Sequence, residues 1–176
     1  MSVYNHPKII WLTGLSGAGK STLSDLLYKR LKENSIFLVK QLDGDILREG
    51  INKGLGFTDE DRMENIRRAA EVAKLFRETG FTVICSFITP LESMRELAKS
   101  IIGEENHIEI YVNCSIETCE KRDVKGLYQK AREGKIINFT GISAGFETPA
   151  SPDLIIDTDN QSPEISLQEI ISFLTN

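Results

Sequence analysis

Gly14, Leu15, Ser16, Gly17, Ala18, Gly19, Lys20 and Ser21 restrict the architecture of this chain more than any other stretch. The run fits G-x-x-x-x-G-K-[ST], and Thr22 follows it. Glycines at these positions let the backbone curl so that successive N–H groups point at one phosphate. The motif has that meaning only between a strand and a helix, and both are legible. Residues 8–13, KIIWLT, form a nearly continuous apolar run of the kind a strand buried on both faces requires. Residues 21–33 place Leu23, Leu26, Leu27 and Leu31 at helical spacing. A phosphate would then sit at a helix N-terminus, where free N–H groups and the dipole favour anions. Lys20 reaches the outer phosphates, and the Ser21 hydroxyl is placed to ligate Mg²⁺.

The rest of the chain alternates short apolar runs with helical stretches, which predicts an α/β fold with a parallel sheet. Strands are expected at 36–42, 81–87, 108–112 and 154–157. Helices are expected from 45 to about 49, from Thr58 to about 79, from Pro90 to about 102, from Ser115 to about 122, and over 163–174. Thr58 caps its helix with Asp61 three residues on. Residues 123–152 carry few core-type runs, and a structureless stretch that long inside a compact domain is usually functional. A lid is the expectation there. At 176 residues the chain is expected to form one domain.

Charge and cysteine use exclude several function classes. The formal charge is −5, whereas a duplex binder needs a positive surplus for phosphate contacts. No apolar run approaches the roughly 20 residues that cross a bilayer. Three cysteines, Cys85, Cys114 and Cys119, without a secretory leader suggest a reduced, cytoplasmic protein in which the thiols are small buried hydrophobes. Nucleic-acid and membrane partners are therefore not expected.

Several residues besides the loop suggest chemistry. A guanine-reading N-K-x-D and a D-x-x-G switch are missing, which favours ATP over GTP. Asp43 and Asp45 lie at the expected end of the second strand, and ligands of open α/β sheets bind beyond the strands' carboxyl ends. Such a pair can hold water around Mg²⁺ or take a proton from an attacking hydroxyl; as a plain turn, Asp43–Gly44–Asp45 is only a helix cap. Arg48, three residues on, can pair with Asp45 or meet an anion. Arg62 and Asn65 share a helix face with anion-gripping potential, but their residue pattern favours a solvated face paired with Glu64 and Glu71. Phe57 and Phe139 fall in expected loops, where a ring either stacks on a base or packs at the core edge.

Together these blocks resemble the adenylylsulfate kinase family. The similarity lies in Gly14 to Thr22, in Leu42-Asp43-Gly44-Asp45 with Arg48, and in Leu55-Gly56-Phe57. It continues through Asp61-Arg62, Glu64-Asn65-Ile66-Arg67-Arg68, Ser86-Phe87-Ile88-Thr89-Pro90, Arg122-Asp123 with Lys125-Gly126-Leu127-Tyr128, and Asn138-Phe139-Thr140-Gly141-Ile142. The resemblance implies a three-layer P-loop fold with a five-stranded parallel sheet. It also implies transfer of phosphate from ATP to the 3′-hydroxyl of adenylyl sulfate, with Mg²⁺ and as a homodimer. It places Phe57 and Phe139 on the two faces of the adenylyl sulfate adenine, and Arg48, Arg62 and Asn65 on its phosphosulfate and ribose. Lys125 would approach from the lid and Arg122 would lie near ATP. Ser86 matches the family's phosphoserine position, although in-line transfer needs no covalent step. Ser143 and Ala144-Gly145-Phe146 stand where the family has Asp and Ser-Pro-Tyr, which is expected to loosen that stretch. The alternatives are another small-molecule P-loop kinase and a non-catalytic ATP-switch module.

Overall fold

A computed structural model describes residues 6–34 and 38–175. Strand β1 (Ile9–Thr13) is buried along its whole length and runs into helix α1 (Lys20–Asn34). Then come β2 (Leu38–Asp43), α2 (Gly44–Glu49), α3 (Asp59–Glu78), β3 (Phe81–Ser86), α4 (Glu92–Ile102), β4 (His107–Asn113), α5 (Ile116–Arg122), α6 (Leu127–Arg132), β5 (Leu154–Asp157) and α7 (Pro163–Thr175). The five strands are parallel in the order β2-β3-β1-β4-β5. Positions 36 and 37 of the second expected strand lie outside the described residues.

The sheet separates two apolar layers. Alternate residues of β1 go to opposite faces: Ile10 and Leu12 join Leu23 and Leu27 of α1 and Ile170 of α7, while Ile9 and Trp11 join Ala69, Ala70 and Ala73 of α3 and Met94 and Ala98 of α4. Helices therefore cover both faces, as a sheet of near-continuous apolar strands requires. Registers of Asp43 against Ser86, Ser86 against Leu12, and Asn113 against Asp157 bring the strands' carboxyl ends to one edge. Connections leave the central β1 toward β2 and β3 on one side and β4 and β5 on the other, so the crevice falls at the end of β1.

Three expectations are corrected. Residues 123–152 are not structureless: they contain α6, and Tyr128, Ala131 and Phe139 are buried in the layer beneath α1. The helix expected from Pro90 begins at Glu92, because Thr89 turns with φ +45° and Leu91 is still extended. The stretch expected to be loose is instead closely bonded. The Phe139 carbonyl accepts N–H bonds from Ile142, Ser143 and Ala144, Ser143 Oγ accepts from the Phe139 N–H at 2.9 Å, and Phe146 stacks on Tyr111.

Candidate active site

A cavity of about 980 Å³ opens over the carboxyl ends of the strands. Its floor is the phosphate loop. Gly14 has φ +150°, and a Cβ there would lie 2.5 Å from the Val112 carbonyl oxygen, so only glycine lets β1 pass β4 this closely. Gly17 has φ +78°, a left-handed conformation that glycine adopts without strain. Lys20 is buried, and its Nζ donates to the carbonyls of Gly14 at 2.9 Å and Leu15 at 2.7 Å. Burial pulls its pKa down to about 8, against the smaller pull of nearby acidic groups, Asp43 and Asp45 among them.

At the end of β2, both oxygens of Asp43 are engaged. Oδ1 accepts from the Asp45 N–H at 2.9 Å, capping α2, and Oδ2 accepts from Ser21 Oγ at 3.0 Å. Asp43 is thus a cap as well as a partner of the phosphate loop. Asp45 is exposed and pairs with Lys125, which it holds charged by raising its pKa. Arg48 donates not to Asp45 but to the carbonyls of Leu55 and Gly56, at 3.1 and 2.9 Å. Its guanidinium lies 4.5 Å from the centre of the half-exposed Phe57 ring.

Arg62 and Asn65 do not sit on a solvated face. Both are buried and line the cavity. Glu64 is taken by Arg67 and Arg68, each at 2.7 Å, so the solvated ion-pair face exists one step around the helix. Arg62 donates to the carbonyls of Phe57 at 3.1 Å and Asn138 at 2.6 Å, and Asn65 Oδ1 accepts from Asn52 Nδ2 at 2.9 Å. Among the described residues neither Arg48 nor Arg62 has a carboxylate ion-pair partner, and burial lowers the pKa of both. A buried and a half-buried guanidinium with no carboxylate paired to either favour an anionic ligand.

Phe139 packs edge-on to Tyr128 with ring centres 4.9 Å apart, so it is core as well as cavity wall. Ser86, at the end of β3, is buried, and its Oγ has no hydrogen-bond partner among the described residues. On the β4–β5 side Arg122 donates to the Thr158 carbonyl and lies 3.3 Å from the Gly17 carbonyl. Thr158, Gln161, Pro163 and Ser166 also line the cavity and were missed in the sequence. The rule that placed Asp43 and Asp45, that ligands sit beyond strand ends, applied equally to the loop after β5. Cys85, Cys114 and Cys119 are free and buried, as expected.

Phosphate loop, parallel sheet and an acidic pair beside a cationic cavity together define a P-loop α/β protein of the kinase type. A gluconokinase from Sinorhizobium meliloti shares this fold at a TM-score of 0.66 and 16% identity. Residues 6–157 match the family model for adenylylsulphate kinase. The adenylyl-sulfate kinase of Pseudomonas aeruginosa is 52% identical over 170 residues, 96% of this chain and 85% of that protein; that of Bacteroides thetaiotaomicron is 50% identical over 169 residues, 96% and 84%. The structure of the Mycobacterium tuberculosis APS kinase in complex with AMPPNP and APS superposes with a TM-score of 0.93 at 39% identity, covering 97% of this chain and 99% of that one. The chain belongs to the adenylylsulphate kinase family.

Proposed function

We infer that the protein transfers the γ-phosphate of ATP to the 3′-hydroxyl of adenylyl sulfate, releasing ADP and 3′-phosphoadenylyl sulfate. Beyond family membership, the observation that carries this reading is the pair of carboxylate-free guanidiniums, buried at Arg62 and half-buried at Arg48, beside the half-exposed Phe57 ring. An anion joined to a flat base fits that combination of charge and π surface.

Phosphoryl transfer asks mainly for positioning and charge neutralisation. The amides of the phosphate loop and Lys20 hold the outer phosphates, and Arg122 with Thr158 bounds the space for the ATP base. Ser21 and Asp43 supply hard oxygen donors side by side. Among the described residues no group of three or more His, Cys, Asp or Glu is arranged to hold a metal, a sparse donor set that suits Mg²⁺ kept largely in water and phosphate oxygens. When bound there, Mg²⁺ neutralises charge on the phosphates. Asp45, exposed in the cavity and steadied by Lys125, is the carboxylate free to accept the proton of the 3′-hydroxyl. Asp43 has both oxygens committed toward the loop and the cap. Phe57 and Phe139 grip the acceptor adenine, and Arg48, Arg62 and Asn65 take its phosphosulfate and ribose. The segment 123–152, which contributes Lys125 and Phe139, closes over the acceptor and limits hydrolysis of ATP by water.

Among the described residues no helix is long and apolar enough to cross a membrane. The three free thiols fit a reduced cytoplasmic setting. Assembly as a homodimer is the family expectation, and light scattering reads it. A coupled ADP-release assay tests the activity: adenylyl sulfate should support turnover, while gluconate, shikimate and nucleoside monophosphates should not. ATP binding without acceptor-dependent ADP release would return the chain to a nucleotide switch.

A further inference from the structure

Behind the cavity wall, one buried charged side chain is committed to a single turn of backbone. Arg95 of α4 is 3% exposed. Its Nη1 donates to the Thr89 carbonyl at 2.9 Å, and its Nε donates to Glu92 Oε2 at 3.2 Å. Its Nη2 bonds the same carboxylate, and Glu109 Oε1 lies 3.6 Å from Nε. The charge is balanced on one side of the guanidinium while Nη1 holds a carbonyl of the wall.

That carbonyl belongs to a residue in an unfavourable conformation. Thr89 has φ +45°, the left-handed region, where a β-branched side chain is strained. Such strain persists only where the surroundings over-determine it, and it clusters at ligand sites. Here Trp11 Nε1 donates to Thr89 Oγ1 at 2.9 Å. Thr13 Oγ1 donates to the Ile88 carbonyl at 2.8 Å, and the Gly14 N–H reaches that same carbonyl at 3.3 Å. The turn therefore ties the start of the phosphate loop to Ile88, Thr89 and Pro90, all of which line the cavity. On its far side, the Pro90 carbonyl accepts from the Glu147 N–H at 2.8 Å, and the Glu147 carboxylate accepts from the Glu92 N–H at 2.7 Å. Phosphate loop and returning segment are thus tied to the two neighbours of Thr89, Ile88 and Pro90.

We propose that Arg95 and Thr89 are positioning residues for the acceptor: through the left-handed turn they fix the wall of Ile88, Thr89 and Pro90 against which the acceptor binds. The proposal rests on reading the β2–β3 side of the cavity as the acceptor half. It accounts for a buried arginine that touches no cavity space and for a threonine kept where a glycine would be unstrained.

Steady-state ADP release and nucleotide titration of Arg95→Lys, Arg95→Met and Thr89→Gly test it. Arg95→Met should raise the KM for adenylyl sulfate about tenfold or more, the effect of one charge-assisted hydrogen bond. The Kd for ADP should stay near wild type. Arg95→Lys keeps a donor and should recover part of the loss. Thr89→Gly relieves the strain but leaves the buried Trp11 Nε1–H without its acceptor, so its melting temperature should stay near wild type while the acceptor KM still increases; a merely structural residue cannot give that split. Trp11 is the chain's only tryptophan, so its emission reports on Thr89 directly. Adenylyl sulfate should shift that emission in the wild type and not in Thr89→Gly. Should Arg95→Met fail to fold, Thr89→Gly and Arg95→Lys decide alone. Wild-type turnover with an unmoved acceptor KM in those variants, or an equal loss of ADP and acceptor affinity, overturns the positioning role alone. A wild type that never releases ADP with adenylyl sulfate instead sinks the activity on which the role rests.

Discussion

The two sides of the cavity are built differently. On the β4–β5 side nearly every polar group is already bonded. Arg122 is held by Thr158, whose Oγ1 donates to the Ala18 carbonyl at 2.9 Å, and Tyr128 Oη donates to the Ser16 carbonyl at 2.8 Å. The phosphate loop is thus fixed from outside before any nucleotide arrives. On the β2–β3 side Arg48 and Arg62 lean on carbonyls of loops, Phe57 is half-exposed, and the Lys125–Asp45 pair is open to water. One half is preorganised and the other is held in a charge imbalance that a ligand would relieve. Substitutions on the first side should therefore act on catalysis, and those of Arg48, Arg62 and Phe57 on the second should act on acceptor affinity, while Asp45, read as the base, acts on kcat.

The sharpest break in that contrast is Lys20. Lys20→Ala should abolish transfer, a loss on the order of a thousandfold or more, because a preorganised cation at the developing charge contributes several kcal/mol. The free protein should not suffer in proportion. The Lys20 pKa lies at about 8 when folded against 10.5 for an ordinary lysine, so holding it charged at neutral pH costs about 3 kcal/mol, partly offset by its packing. Thermal melting beside kcat checks both halves; near-normal kcat would remove the phosphate-loop assignment.

Next in size are the carboxylates. Asp45→Asn should lower kcat by about 10²- to 10⁴-fold, the usual contribution of a general base, and excess Mg²⁺ should not repair it. Asp43→Asn should shift the Mg²⁺ dependence and be partly rescued by the metal; the amide Oδ1 can keep the α2 cap, while the acceptor for Ser21 Oγ is lost. Rescue of Asp45→Asn by Mg²⁺, with none for Asp43→Asn, would reverse the two roles.

Parts of the site were legible in the sequence, and the limits of that reading are physical. The phosphate loop, the Thr58 cap and the end of β2 were readable because short-range rules govern them. Thr58 does accept from the Asp61 N–H, and Asp43 does end its strand. Burial of Arg62 and Asn65 was not readable from pattern, since polar residues at helical spacing resemble a wet face until the loop carbonyls that satisfy them are known. Helix α6 was hidden for a similar reason: it is six residues long and sends only Tyr128 and Ala131 inward. The left-handed Thr89 had no local signal, because its conformation is imposed by Trp11, Thr13 and Arg95, which are distant or follow it in sequence. Family resemblance supplied roles for Arg48 and Phe139 that residue pattern left open.

The aromatic pair sharpens the comparison on its open side. Phe57→Ala should weaken adenylyl sulfate binding about 10- to 100-fold, from 1–3 kcal/mol of base stacking, with little change in melting temperature. Phe139→Ala should do the same and also destabilise the protein by about 3 kcal/mol, because that ring is core. ADP affinity should barely change in Phe57→Ala. Equal destabilisation by the two substitutions would mean that Phe57 is packing rather than a ligand surface.

A smaller effect should appear with pH. Lys20 in the free protein loses its proton through about 8, and bound phosphates restore it. Below that pH nucleotide binding takes up no proton at this group. Above it, affinity should fall by about tenfold per pH unit until the bound-state pKa is reached. Stability of the free chain should move the other way. The folded value is the depressed one, so the cost of the buried charge is fully present below about 8 and is relieved as the pH rises toward 10.5. Titration calorimetry in buffers of different ionisation enthalpy reads the proton uptake; an affinity that is flat from pH 7 to 9.5 would contradict the burial of this charge.

The smallest effect belongs to Ser86. It lies in register with Asp43 and Leu12 at the mouth of the sheet, where a phosphoserine intermediate would have to form. A serine nucleophile needs a base within hydrogen-bond reach, and Ser86 Oγ is buried with no partner among the described residues. Removing a buried hydroxyl that bonds to nothing is close to neutral for stability, since no partner is left behind unsatisfied. Ser86→Ala should therefore melt at or slightly above the wild-type temperature and keep kcat within a few-fold. Both substrates should bind as before. Complete inactivity with intact binding of ATP and adenylyl sulfate would put Ser86 on the reaction path, and rapid-quench trapping of a phosphoserine forming at the rate of turnover would show the covalent step directly. Retained turnover leaves a direct displacement between two groups held by opposite sides of the cavity, which is the arrangement that one fixed half and one ligand-completed half can support.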